Sequence, residues 1–247
     1  MRALARFLRF LPTPFSTSFL LVPSAASSSF SPDTPPSPAS AILTDAELAE
    51  LRHLLPGLCD AGHPLDAVRL LDAALLTAPS LSALPLPDLA DRLSSLPDMS
   101  GTMALLTALR YHPRRPSPLP FCSLFLSAYF RCRRLREAAK VFAWLCRADS
   151  PCRPDIEIYK TAILGFCERG MALEAVKVVR EMVNDGMIPA EEFRILVCHS
   201  LLREARVTEA QELDSVIRTA GESDTGNRDG IDAVAKLLDR TIRSWEE

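Results

Sequence analysis

The feature that most constrains this chain is a two-residue signal, an acid followed by alanine, that returns at a nearly fixed interval. It stands at Asp66-Ala67, Glu137-Ala138, Glu174-Ala175 and Glu209-Ala210, and Ala104 falls in the gap without its acid, so the alanines lie 37, 34, 37 and 35 residues apart. Apolar residues follow three positions on, as Leu70, Val141, Val178 and Leu213, and four positions on, as Leu71, Phe142 and Val179. Three-and-four spacing puts side chains on one face of an α-helix. A period of this length means one supersecondary unit per repeat, each with an apolar face that only its neighbours can bury.

The clearest unit spans residues 156–190. Its first half places Tyr159, Ala162, Ile163 and Phe166 on one helical stripe, and its second half does the same with Leu173, Val176, Val179 and Met182. Gly170 separates the two halves where a positive φ is wanted, Gly186 closes the second, and Pro189 prevents its resumption. Each unit is therefore a helical hairpin. The expected fold is all-α, an α-solenoid of about five hairpins over residues 41–225, with units near 48–84, 85–118, 119–155, 156–190 and 191–225 and a C-terminal capping helix over 226–247. Composition agrees, since 6% aromatics and 9 glycines in 247 residues argue against a β-sandwich or barrel.

Residues 1–40 read as an address. Arg2, Arg6 and Arg9 lie on one side of a helix whose other side carries Leu4, Phe7, Leu8 and Leu11, and a Ser/Thr/Pro-rich stretch with one acid, Asp33, follows. That composition is expected of a mitochondrial transit peptide, with a chloroplast one as the alternative. The apolar run Phe19–Val22 is far shorter than the roughly 20 residues a membrane span needs, so no membrane partner is expected.

Charge is unevenly distributed. Residues 41–109 carry 3 basic and 9 acidic side chains, residues 110–153 carry 10 and 2, and residues 154–247 carry 12 and 19. One basic segment thus sits between two acidic ones. The seven cysteines form no CxxC pair, and no GxSxG, GxxxxGK[ST] or HExxH pattern occurs, so no enzyme activity, metal or cofactor is expected. His53, His63, His112 and His199 are scattered, and Cys59 and Cys167 share the twelfth place of their units, which reads as small core residues.

The segment IEIYKTAILGFCERGMALEAVKVVREMVNDGMIPA resembles a pentatricopeptide repeat in its first-helix aromatic, glycine turn, Glu-Ala pair, late Met and Gly-to-Pro ending. Leu55–Leu75 and Leu119–Asp155 resemble further copies, 85–118 and 191–225 degenerate ones, and the last helix, with Asp232-Ala233, a lone second helix. A tetratricopeptide repeat fits less well, because Ile163 stands where its small residue belongs and the Gly186-to-Pro189 ending suits the pentatricopeptide pattern.

The resemblance implies a non-catalytic, organellar binder of single-stranded RNA, each repeat reading one base through its fifth and last residues. It assigns base reading to Ser123 with Asp155 and to Lys160 with Ala190, of which the second pair departs from the family's pattern, as do Ile195 with Thr225 and Arg52. The thirteenth place, near phosphates in the family, holds Arg131 and Arg203, and Arg133, Arg134 and Arg136 extend a basic cluster around the first of these. No HxE and CxxC deaminase signature occurs, so editing by this chain is not expected. The implied role is transcript processing, such as intron splicing or RNA stabilisation, with other RNA-processing or ribosomal proteins as further partners. The alternative is a protein-interaction scaffold in an organellar complex such as the mitochondrial ribosome.

Overall fold

The computed structural model describes residues 42–222 and 228–245, and among them every regular element is helical. The expected leader, residues 1–40, lies outside this range, as does Thr225. The chain divides at Pro85/Leu86 into two compact units.

The first unit is one hairpin, α1 (Asp45–Asp60) and α2 (Pro64–Leu75), followed by a 3-10 turn at Leu81–Ala83. Thr44 starts α1 with a reciprocal cap: its side chain accepts from the Glu47 amide, and the Glu47 carboxylate accepts from the Thr44 amide at 2.9 Å. Leu51, Leu55, Ala67 and Leu71 pack between the two helices and are nearly fully buried. Arg52 stays exposed on the outer side of α1.

The second unit is an α-solenoid of four hairpins. They are α3 (Leu86–Ser95) with α4 (Ser100–Tyr111), α5 (Leu119–Arg131) with α6 (Leu135–Cys146), α7 (Ile156–Glu168) with α8 (Ala172–Asn184), and α9 (Glu191–Arg203) with α10 (Val207–Glu222). The first helices touch in sequence, α3 on α5, α5 on α7 and α7 on α9, and each packs its own second helix on another side. Aromatic contacts join successive repeats: Phe130 meets Phe166 edge-on at 5.0 Å and Phe142 meets Tyr159 at 5.9 Å.

The anchor alanines Ala67, Ala138, Ala175 and Ala210 are buried, whereas Ala104 is half-buried. In α4 the equivalent place belongs to Thr102, fully buried, which makes the intervals 35, 36, 37 and 35. A threonine is tolerated there because its hydroxyl shares a 2.8 Å hydrogen bond with the Tyr129 hydroxyl, satisfying both polar groups inside the core.

The last helix, α11 (Arg228–Arg243), departs from the expected second-helix role. Ala233 is exposed, and Val234, Leu237, Leu238 and Thr241 are buried instead, against α8 and α10. It runs antiparallel to α10, since Gly230 lies beside Ala220 and Trp245 stacks under Arg206 at 4.8 Å. An Arg180–Asp239 ion pair of 2.8 Å ties it to α8. Thus α11 lies across the layer of second helices and leaves the first-helix row unextended.

Candidate nucleic-acid interface

Four of the five hairpins make the same turn. The middle residue of each three-residue connection has positive φ: Gly62 (82°), Arg133 (56°), Gly170 (68°) and Ala205 (60°). The amide after it closes back onto the first helix, as in Arg134 to the Tyr129 carbonyl (2.9 Å), Met171 to Phe166 (3.0 Å) and Arg206 to Leu201 (2.9 Å). These amides satisfy carbonyls that a helix end otherwise leaves unpaired. Within the second unit, α5, α7 and α9 therefore end in one register relative to their turns.

That register sets out a grid. Three sides of each inner first helix are covered by the preceding first helix, the following one and its own second helix. The fourth side carries Pro87, Asp91 and Ser95 on α3, Ser123, Ser127 and Arg131 on α5, Lys160, Leu164 and Glu168 on α7, and Ile195, His199 and Arg203 on α9. All are exposed except Ser123, which is half-buried. The four-residue spacing within a helix keeps each triplet on one stripe. Fifth-place residues thus share a row, and Pro87, which the degenerate second repeat hides in sequence, joins Ser123, Lys160 and Ile195.

Asp155 and Ala190, the last residues of their repeats, are the N-caps of α7 and α9. One carboxylate oxygen of Asp155 accepts from the Ile158 amide at 2.9 Å, which fixes the side chain at the head of α7. Ala190 makes no side-chain cap.

The thirteenth-place arginines both reach back one repeat. Arg131 forms an ion pair with Asp91 on α3, and Arg203 donates to the Cys167 carbonyl at the end of α7, 3.4 Å away. Arg133 is exposed on its turn, and Arg136 is exposed on α6. Arg134 has a different place from the one its sequence position suggests. Its guanidinium donates to the Ser94 and Pro97 carbonyls at 3.0 Å each, to the Leu96 carbonyl, and to Glu137 at 3.0 Å, and it stacks over the Tyr129 ring at 5.4 Å. It closes the C-terminal end of α3 and is occupied there, so it is not a free phosphate ligand. That hydrogen bond is also the main reason the Glu137 carboxyl titrates below the usual glutamate range.

Burial raises the thiols, Cys146 to about 12 and Cys167 to about 11, which keeps both protonated at neutral pH. Cys59 and Cys167 are core residues, each 4% exposed. His112 is buried, and its Nδ1 accepts from the Arg114 amide at 3.1 Å, while His53, His63 and His199 are exposed. Among the described residues no cluster of His, Cys, Asp and Glu is arranged to hold a metal ion, and no helix is long and apolar enough to cross a membrane.

Residues 150–183, the segment containing α7 and most of α8, match the PPR repeat family model. The chain thus contains a segment similar to one pentatricopeptide repeat. It is also similar to a protein of Arabidopsis thaliana named as a mitochondrial pentatricopeptide repeat-containing protein, with 34% identity over 65 residues. That segment is 26% of this chain and spans 10% of the relative's length. The matched segment holds the Gly170 turn and the buried stripe Tyr159, Ala162, Ile163 and Phe166.

Proposed function

We propose that this chain is a pentatricopeptide-repeat protein that binds single-stranded RNA in an organelle along the uncovered face of α3, α5, α7 and α9, and so assists transcript processing such as splicing or stabilisation. The observation that carries this reading is the register of the grid: Pro87, Ser123, Lys160 and Ile195 recur at intervals of 36, 37 and 35 residues, with Ser123 half-buried and the other three exposed. A single strand laid across such a row meets one side chain per nucleotide. Ser123 with Asp155 offers a hydroxyl and a carboxylate to a base edge, and Lys160 offers a donor. Arg131, Arg133 and Arg203 supply cations toward phosphates. The mitochondrial relative and the basic leader support an organellar site of action, mitochondrion ahead of chloroplast. The face presents no aromatic platform, so binding rests on hydrogen bonds and charge.

A scaffold role in an organellar complex is the second reading, and two observations favour it. Pro87 and Ile195 have no side-chain group that hydrogen-bonds a base, and Arg131 is already paired with Asp91. Titrating the full chain into a labelled single-stranded RNA at several salt concentrations separates the two. RNA binding predicts an affinity that falls with salt, with Lys160→Glu weakening it and reducing the slope by about 1. No salt-dependent binding at low ionic strength leaves the scaffold.

A further inference from the structure

On the opposite side of the solenoid, successive second helices stand apart, and the space between α8 and α10 is filled by α11. One repeat earlier the equivalent space is open. A groove of about 470 Å³ runs between α6 and α8, with Ala139, Phe142, Ala143 and Cys146 on one wall, Val178 on the other, and Ile242 of α11 at one end. Its two rims differ in charge. On α8 the rim neutralises itself, because Lys177 pairs with Glu174 at 3.2 Å, and Arg180 with Glu181 at 3.2 Å and with Asp239. On the α6 side, Arg147, which follows the helix end, lines the groove, and Arg136 and Lys140 stand exposed beside it, each three residues before a lining alanine, Ala139 and Ala143. The only acid of α6, Glu137, is held by Arg134 on another side.

We infer that the α6/α8 groove is a docking site for an acidic amphipathic helix of a partner protein. The molecule contains the pattern for such a contact. α11 seats an apolar stripe between α8 and α10 and sets Asp239 against Arg180 of the groove wall. A helix in the open groove meets the same kind of apolar floor, small alanines that admit close approach, and three cations along one edge, so its matching edge carries Asp or Glu. α11 itself, with acids and bases intermixed, lacks that edge. Helix-in-groove recognition takes its affinity from the apolar stripe and its selectivity from the charged rim. The site lies on the face away from the proposed RNA grid, so the two are separable.

The probe is a labelled synthetic helix of about the length of α11, with leucines on one stripe and glutamates elsewhere, against a control with lysines replacing the glutamates. Fluorescence anisotropy on the full chain is expected to show the acidic peptide bound about tenfold more tightly at low salt. Ala143→Trp, which fills the groove from an exposed position, abolishes that binding while leaving the melting temperature in place. R136E/K140E/R147E together reverse the preference, which keeps the test decisive if the tryptophan variant folds poorly. Equal binding of the two peptides, or acidic-peptide binding unchanged by Ala143→Trp, overturns the proposal. So does oligouridylate that displaces the peptide, loses its own binding in the charge-reversed chain and keeps it in Ala143→Trp, for then the rim serves nucleic acid.

Discussion

The α7–α8 and α3–α4 hairpins solve one problem in two ways. In α7–α8 the helix end is closed from within: Gly170 takes the left-handed conformation at φ 68°, and the Met171 amide returns to the Phe166 carbonyl. In α3–α4 the connection from Leu96 to Met99 contains no positive-φ residue, and the carbonyls of Ser94, Leu96 and Pro97 are met by Arg134 of the next repeat. A repeat that has lost its own turn signal is thus completed by its neighbour. Degeneracy in the sequence of one hairpin leaves its trace as an arginine in another, and a residue suited by type to phosphate is held in the structure instead.

Removing Arg134 breaks that arrangement most directly. Arg134→Ala leaves three carbonyls and Glu137 without their donor and should cost about 2–3 kcal/mol by urea denaturation, whereas Arg133→Ala, one residue away and exposed, should cost little. Equal effects at the two positions contradict the comparison.

The α7–α8 hairpin has its own point of failure. A Cβ at Gly165 stands 2.3 Å from the Phe130 ring, so Gly165→Ala forces α5 and α7 apart and should lower stability by about 1–3 kcal/mol, with loss of the near-ultraviolet aromatic signal. The same change at Gly57, with nothing within 4 Å, should be tolerated.

Alkaline pH acts through two core tyrosines, Tyr159 on α7 and Tyr129 on α5, the latter bonded to Thr102 of the α3–α4 hairpin. Burial raises Tyr129 and Tyr159, and Tyr159 also donates to Asp185 at 2.6 Å, where an acceptor already negative opposes ionisation. A raised phenol stabilises the fold fully below its unfolded value of about 10, and that contribution drains away as pH climbs toward the folded value. Chemical denaturation above pH 10 should show falling stability, and Tyr159→Phe should flatten the fall. The smallest expected effect is a gain. Ala205→Gly relieves a left-handed alanine in the turn that Gly170 makes freely, and should add about 1 kcal/mol.

Much of this was legible in the sequence because helix periodicity and glycine punctuation are local signals. The stripe Tyr159, Ala162, Ile163 and Phe166 is buried as expected, and Gly170 and Gly186 both have positive φ. What escaped was set by tertiary context. Thr102 replaces the anchor alanine only because Tyr129 is present to bond it, so a search for alanine settled on Ala104, two residues away. Arg133 and Ala205 adopt positive φ without being glycine, since the hairpin geometry overrides their preference. Asp232-Ala233 matched the anchor in letters, but the apolar stripe one residue on turned α11 onto α8 and α10. Of the candidate site, the fifth-place row was visible for Ser123, Lys160 and Ile195, while Pro87 needed the packing register, and the partners of Arg131 and Arg134 lay about forty residues away in sequence.

The most direct measurement of the central claim is photo-crosslinking of a 4-thiouridine-containing single-stranded RNA to the full chain, with the attached peptides mapped by mass spectrometry. The account predicts crosslinks within residues 119–131, 156–168 and 191–203, at the exposed stripe of α5, α7 and α9, reduced in Lys160→Glu and retained in Arg136→Glu. Crosslinks confined to α6, α8 or α10, or none at low salt, would contradict it.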